Sequence, residues 1–120
     1  MKKIARISKE DYSIANSKKA IPRSFANIDD GLENTVITSD TKVRSCKGII
    51  TAEGGYRLIT FDMVLPLDFV GFIAKISTAL AEEKIPVFVI SAYSRDHILV
   101  KKKHLLSAKK KLKQLGFEVK

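Results

Sequence analysis

The chain has 120 residues, of which 45% are hydrophobic and 29% charged, a balance typical of a globular protein and not of a disordered one. Its formal net charge of +9 makes nucleic acid or an anionic membrane the first partner to consider. The single cysteine, Cys46, and the two histidines, His97 and His104, exclude an intrachain disulfide and any Cys/His metal site of usual spacing. We therefore expect a reducing, cytoplasmic setting and no bound metal.

The charge is concentrated at one end of the sequence. Residues 101–120 contain eight lysines and one acidic residue, Glu118, so the rest of the chain is close to neutral. No apolar segment follows the charged residues 1–6, and no stretch approaches the ~20 apolar residues of a membrane helix. We expect no signal peptide and no association with a membrane.

The first half of the chain, residues 1–55, contains strand signals but no helix signal. Residues 3–7, 25–28 and 35–38 favour strands, and the last two are separated by a turn signal, Asp29-Asp30-Gly31. Residues 9–23 show no helical period. Three strands with short connections bury little surface, so we expect a β-rich module that packs on the second half.

The second half, residues 56–120, begins with a strand signal at residues 56–61, after an expected break at Gly54-Gly55. An amphipathic helix is predicted from an N-cap at Asp68 to a stop at Pro86. Its apolar face has helical spacing and consists of Phe69, Ile73, Ile76 and Leu80.

Two apolar runs, residues 87–92 and 97–100, then predict a hairpin. A second helix follows, with apolar residues at helical spacing and Gly116 as its stop, and residues 117–119 predict a closing strand. The resulting order βαββαβ indicates an α+β, ferredoxin-like fold for residues 56–120.

Catalytic motifs are absent from the sequence. It contains no Gly-x-Ser-x-Gly, no His-Glu-x-x-His and no phosphate-binding glycine loop. Neither histidine lies near Cys46 in the sequence to act as its base, and Asp62 and Asp68 fit turn or capping roles. We predict no enzymatic activity, no catalytic residue and no cofactor.

One group of residues suggests binding instead: the start of the first predicted helix and the strand that ends in Ser91-Ala92-Tyr93. Unpaired amides at a helix start attract a carboxylate, and Gly71 would allow a ligand to come close. Asp96 could pair with an ammonium group, so a zwitterionic amino acid fits both. The same residues also fit a simpler role, with Gly71 in helix packing and Asp96 in a turn.

Two segments in this region resemble the ACT domain family: Asp68-Phe69-Val70-Gly71-Phe72-Ile73-Ala74 and Ser91-Ala92-Tyr93-Ser94-Arg95-Asp96-His97-Ile98-Leu99-Val100. They are similar to the branch that includes CASTOR-type arginine sensors, small bacterial two-ACT proteins and the regulatory part of aspartate kinase. Residues 32–38 are similar to the last strand of the abbreviated module of the small bacterial members.

The resemblance implies a ligand, usually an amino acid, held between paired modules, with a helix start and a strand as its contacts. Carried onto this chain, it assigns ligand contacts to Asp68, Phe69, Val70, Gly71, Phe72, Ile73, Ser91, Ala92, Tyr93 and Asp96. Ala92 stands where the family has Thr, which removes a hydroxyl from the site.

We therefore expect a non-catalytic, cytoplasmic, homodimeric regulatory protein that binds or senses an amino acid. An abbreviated ACT-like module, residues 1–55, would precede the ACT domain, residues 56–120. One alternative is a nucleic-acid-binding module that contacts phosphates through lysines, namely Lys101, Lys102, Lys103, Lys109, Lys110, Lys111 and Lys113. The other is a dimerisation or regulatory module without a ligand.

Overall fold

A computed structural model describes residues 2–120 and shows eight β-strands and three α-helices in that range. The strands are β1 (Ile4–Ile7), β2 (Tyr12–Ser17), β3 (Ala26–Asp29), β4 (Asn34–Ser39), β5 (Ile49–Phe61), β6 (Phe88–Ser91), β7 (Asp96–Lys101) and β8 (Glu118–Val119). The helices are α1 (Asp40–Ser45), α2 (Phe72–Glu82) and α3 (Leu105–Gln114), and a 3₁₀ turn at Lys102–His104 precedes α3. Within residues 2–120, no helix has the length and apolar character needed to cross a membrane.

The chain divides into two compact units. The smaller unit is Lys9–Tyr56, and the larger unit consists of residues 2–8 and 57–120. Strand β5 contributes its residues up to 56 to the smaller unit and residues 57–61 to the larger unit.

In the larger unit the strand order is β6-β7-β5-β1-β8. From residue 57 onward the chain order is β5, α2, β6, β7, α3, β8, which is the expected βαββαβ sequence. The prediction of an α+β, ferredoxin-like fold is confirmed.

Strand β1 lies between β5 and β8, a position that the sequence did not predict. Ala5 pairs with Phe61 in an antiparallel ladder, and Ile4 pairs with Glu118 in a parallel one. Ala5 is fully buried in the same core as Phe61, so this strand is an internal part of the larger unit. Residues 1–8 were grouped by sequence with the N-terminal module, whereas residues 2–8 belong to the larger unit in the structure.

The core of the larger unit forms where α2 and α3 cover one face of its sheet. The fully or almost fully buried side chains there include Ile59 and Phe61 of β5, Ile98 and Val100 of β7, Ile76 and Leu80 of α2, and Ala108 and Leu112 of α3. Burying each of the Val, Ile, Leu and Phe side chains among them contributes roughly 1.5–3 kcal/mol. The apolar spacing therefore marks the buried faces at Ile76 and Leu80 and at Ala108 and Leu112. Phe69, also expected on the buried face, precedes α2 and is half exposed, because the helix begins later than predicted.

The smaller unit contains β2, β3, β4, α1 and the first part of β5, in the strand order β3-β4-β2-β5, with every pair antiparallel. Strand β2 was not predicted, because its buried positions are Ser13, Ala15 and Ser17. These side chains are small and mostly polar, so burial leaves no apolar alternation to detect. The short helix α1 was also missed; its N-cap is Ser39, whose side chain accepts a hydrogen bond from the Lys42 N–H.

Gly54 and Gly55 lie inside β5 instead of ending a segment. The pairing with β2 shifts there, because Tyr12 faces Tyr56 whereas Ile14 faces Glu53. The extra residue on β5 is a β-bulge, and Gly55 adopts φ +79° within it. The expected break is therefore a bend that leaves the strand continuous.

The two units share a strand order. Each unit, with β1 set aside, has four strands that can be numbered by their order in the chain. Across the sheet these strands lie in the order second, third, first, fourth, which is β3-β4-β2-β5 in the smaller unit and β6-β7-β5-β8 in the larger unit. In the smaller unit, residues 18–25 occupy the place in the chain order where the larger unit has α2.

Candidate functional site

A cleft of about 330 Å³ opens in the larger unit between the segment that leads into α2 and the turn of the β6–β7 hairpin. The side chains and backbone that line it are Leu65, Pro66, Leu67, Phe69, Gly71, Phe72, Ile73, Ala74, Ser91, Ala92, Tyr93, Ser94, Arg95 and Asp96. Both segments named by the sequence analysis therefore contribute to one cavity.

Backbone hydrogen bonds hold the two walls of the cleft together. The Leu65 N–H donates to the Ser94 carbonyl at 2.8 Å, which ties the loop after β5 to the hairpin turn. The Ala92 N–H donates to the Arg95 carbonyl at 3.0 Å and closes that turn. Because these bonds join backbone atoms, the two walls are positioned independently of the side chains that face the cleft.

Helix α2 begins later than predicted. Its N-cap is Gly71, in the left-handed conformation with φ +87°, so the prediction of an N-cap at Asp68 is wrong. No side chain caps this end of the helix, and the first-turn amides have no partner within the helix. Ile73 and Ala74 belong to this turn and line the cleft, which places unpaired N–H donors and the positive end of the helix dipole at its edge.

The cleft carries one charge of each sign, on the neighbouring residues Arg95 and Asp96. The Nε of Arg95 donates to Oδ1 of Asp62 at 3.0 Å, and the Nε of Arg6 donates to Oδ2 of the same carboxylate at 2.7 Å. The hydrogen bonds from Arg6 and Arg95 hold the pKa of Asp62 below its ordinary value. Asp62 therefore stays ionised and orients the Arg95 side chain.

Eight of the ten residues assigned to the site by sequence line this cleft, and two do not. Asp68 is exposed and Val70 lies in a second cleft. Arg95 also lines the cleft but was not predicted as a site residue, because its partner Asp62 is 33 residues away in the chain. The signal available for it was local: a basic residue directly before Asp96 in a turn between two strands.

The family is established by the ACT domain model, which matches residues 51–114. The chain belongs to the ACT domain family. ACT domains are regulatory modules that carry no catalytic activity of their own, so this chain has a regulatory role.

Several solved structures share the fold of this chain over 90% or more of its length. A protein of Agobacterium tumefaciens is 20% identical, with a TM-score of 0.82 over 100% of this chain and 93% of its own. A protein of unknown function from Vibrio cholerae, described as a possible transport protein, is 26% identical, with a TM-score of 0.78 over 90% of this chain and 85% of its own. The ligand-free regulatory subunit of aspartate kinase from Thermus thermophilus is 8% identical, with a TM-score of 0.63 over 92% and 94%. No significant relative is found among curated protein sequences.

His97 and Cys46 of this ACT protein lie outside the cleft, in surroundings that stabilise the fold. The Nδ1 of His97 lies 2.8 Å from the Thr60 hydroxyl, and burial lowers the pKa of the imidazole. Cys46 is partly buried against the small core of Ala15, Ile21 and Val36 in the smaller unit. Within residues 2–120, no three metal-ligating side chains come together.

The net positive charge of this ACT protein comes entirely from its larger unit. That unit has 15 basic and six acidic side chains, whereas the smaller unit has seven of each. A sheet-face RNA binder exposes aromatic side chains on its strands for base stacking, but Phe61 of β5 is fully buried in the core. The nucleic-acid alternative therefore lacks one of the stacking platforms that a sheet-face RNA binder uses.

Proposed function

We propose that this ACT protein binds an amino acid, or a metabolite with the same pair of charges, in the cleft between the start of α2 and the β6–β7 turn. One observation supports this most directly: Arg95 and Asp96 line a single cavity with the unpaired amides of a helix start. A volume of about 330 Å³ lies within the ~300–1,000 Å³ common for small-molecule sites.

The carboxylate of the ligand has two sets of donors available. The first-turn amides of α2 supply backbone N–H groups and the helix dipole. Arg95 keeps its Nη2 for the ligand, since its Nε donates to Asp62 and its Nη1 donates to the Ser94 hydroxyl at 3.4 Å. Charge-assisted hydrogen bonds of this kind are about twice as strong as neutral ones.

The ammonium group of the ligand would pair with the Asp96 carboxylate. The side chain of the ligand would then lie among Leu67, Phe69 and Tyr93, which are well exposed around the cleft. Ala92 adds a methyl group where other family members have a hydroxyl, so this wall favours an apolar side chain over a polar one.

We further propose that the smaller unit is an abbreviated ACT-like module and that the protein works as a cytoplasmic homodimer. The shared strand order of the two units supports the first point. Tyr93 is 82% exposed at the cleft, and a second copy covering such an apolar rim would complete the site. Binding would then order the interface between copies and transmit the regulatory signal.

Isothermal titration of the full chain with each common amino acid tests the proposal. We expect one or a few to bind, and Arg95→Gln and Asp96→Asn each to weaken binding by roughly tenfold. Lys103→Gln, which removes a charge outside the cleft, should leave the affinity unchanged. A folded protein that gives neither heat nor a thermal shift with any amino acid would contradict it.

Ligand analogues separate the two charges. The carboxamide of the best ligand should bind the parent chain more weakly than the ligand itself does. In Arg95→Gln, the carboxamide and the ligand should differ little in affinity. The N-acetyl form should behave in the same way with Asp96→Asn. If each analogue lost as much affinity in the variants as in the parent chain, the assigned orientation of the ligand would be overturned.

A further inference from the structure

A second cleft, of about 360 Å³, lies in the larger unit beside the first. Its wall includes Phe69, Gly71 and Phe72, which also line the first cleft. The second cleft is not lined by Arg95 or Asp96, which carry the opposite charges of the first cleft. The two cavities therefore have different chemistry on either side of one segment.

The floor of the second cleft is apolar and aromatic. Phe72 packs edge-on against Phe117, with ring centroids 6.3 Å apart, and against Phe69 at 6.5 Å. Met63 and Ile76, both almost fully buried, complete the floor. Ring edges and a thioether at this spacing favour a flat or branched apolar group over a polar one.

The charged groups that line this cleft are both lysines. Lys3 is held in place, because its Nζ donates to the Leu115 carbonyl at 2.6 Å and lies 4.7 Å from the centroid of the Phe117 ring. Its ammonium group has three donors, so two are left for a ligand. Lys75 projects from α2, and the lining contains no acidic residue to neutralise either lysine.

We propose that the second cleft binds a small monocarboxylate with an aromatic or branched apolar body. The body would lie on the floor of Met63, Phe72 and Phe117, and the carboxylate would lie between Lys3 and Lys75. This site does not depend on amino-acid binding in the first cleft.

Methyl NMR with phenylacetate as the probe tests the proposal on the full chain. The sequence contains two methionines, so ¹³C-methyl labelling with a Met63→Leu variant for assignment gives a reporter on the floor. We expect a saturable shift of the Met63 methyl signal. The uncharged 2-phenylethanol should bind at least about threefold more weakly, and acetate should produce no shift of this methyl.

Charge variants then locate the carboxylate. Lys75→Gln should weaken phenylacetate binding by about threefold and Lys75→Glu by more than about tenfold. Lys110→Gln, on the exposed side of α3, and Arg95→Gln, in the first cleft, should leave it unchanged. An unshifted Met63 methyl at saturating probe, equal binding of 2-phenylethanol, or a loss in Arg95→Gln but not in Lys75→Glu would overturn the proposal.

Discussion

The Nε of Arg95 lies 3.0 Å from Oδ1 of Asp62, which comes directly after the last residue of β5. Since Oδ2 of the same carboxylate accepts from Arg6, three separate parts of the larger unit meet at one ion cluster. These are the β1 strand, the end of β5 and the hairpin turn. A local charge cluster thus fixes the turn that carries both charges of the proposed amino-acid site.

Asp62→Asn should lower the stability of the protein in a way that depends on pH. Because both arginines depress the pKa of Asp62 in the folded state, its stabilisation is fully present above the ordinary carboxyl pKa and is lost as the pH falls through the folded value. The difference in urea midpoint between parent and variant should therefore narrow from pH 5 to pH 3.

Salt should narrow the same difference, since the arginine side chains are about half exposed. Glu83→Gln, a matched loss of one carboxylate just after α2, is the control and should show neither trend. A difference that stays constant with pH and salt would mean that the ion cluster contributes nothing to stability.

Gly71→Ala should destabilise the protein by about 1–2 kcal/mol, because an L-residue is strained at φ +87°. Apart from the adjacent residues of the chain, no atom lies within 4 Å of the added methyl group, so the loss is one of backbone conformation and not of steric overlap. Gly71→Asn should recover part of it, since Asn tolerates the left-handed region. Urea denaturation of the three proteins measures this, and equal stability of Ala and Asn variants would contradict the explanation.

Gly54→Ala should destabilise the smaller unit by about 1–3 kcal/mol through overpacking. The added methyl carbon would lie 2.9 Å from Oδ1 of Asp40 and 3.1 Å from Oγ of Ser13. The Ser13 hydroxyl donates to Oδ1 of Asp40 at 2.6 Å, so the methyl group must disrupt a partly buried polar contact.

A double-mutant cycle identifies that clash. In an Asp40→Ala background, which removes the carboxylate, Gly54→Ala should cost clearly less than it does in the parent chain. Chemical denaturation of the four proteins gives the coupling, and an unchanged cost would assign the effect to the backbone of the bulge instead.

His97 should make the protein less stable as the pH falls from 7 to 5. Burial lowers its pKa below the ordinary value of about 6.5, and the neighbouring Arg95 lowers it further, while Asp96 acts in the opposite direction. The unfolded chain therefore takes up a proton before the folded chain does, and stability declines below about pH 6.5.

Replacement of the imidazole isolates this effect. His97→Gln keeps a side chain that can hydrogen-bond to Thr60 but cannot titrate, so its unfolding free energy should vary less between pH 7 and pH 5. His104→Gln, at the N-cap of α3, serves as the control and should keep the parent slope. An equally steep slope in His97→Gln would assign the pH dependence to other groups.

Sequence patterns predicted the elements whose buried faces are apolar. Ile76 and Leu80 of α2 and Ala108 and Leu112 of α3 follow helical spacing and are buried in the structure. β2 escaped prediction because it buries serines, and the position of β1 escaped because its partners are remote in the sequence. Such pairings leave no periodic signal in the strand itself.

The parts of the candidate cleft that lie within one short sequence motif were predictable. The start of α2 and the hairpin turn could be named from short motifs, and both line the cavity. The orientation of Arg95 was not predictable, since it depends on a carboxylate in another loop. The N-cap was misplaced at Asp68 because a left-handed glycine, with no capping side chain, starts the helix instead.

The position of β1 also determines the order in which contacts can form while the chain is synthesised. The smaller unit pairs strands within residues 12–56 and can complete its ladders as soon as that stretch has left the ribosome. By contrast, β1 emerges before the smaller unit but needs β8, which follows that unit and both long helices in the chain, for its second ladder. Closing so distant a pair is slow, so the larger unit reaches its native pairing only after β8 has been synthesised.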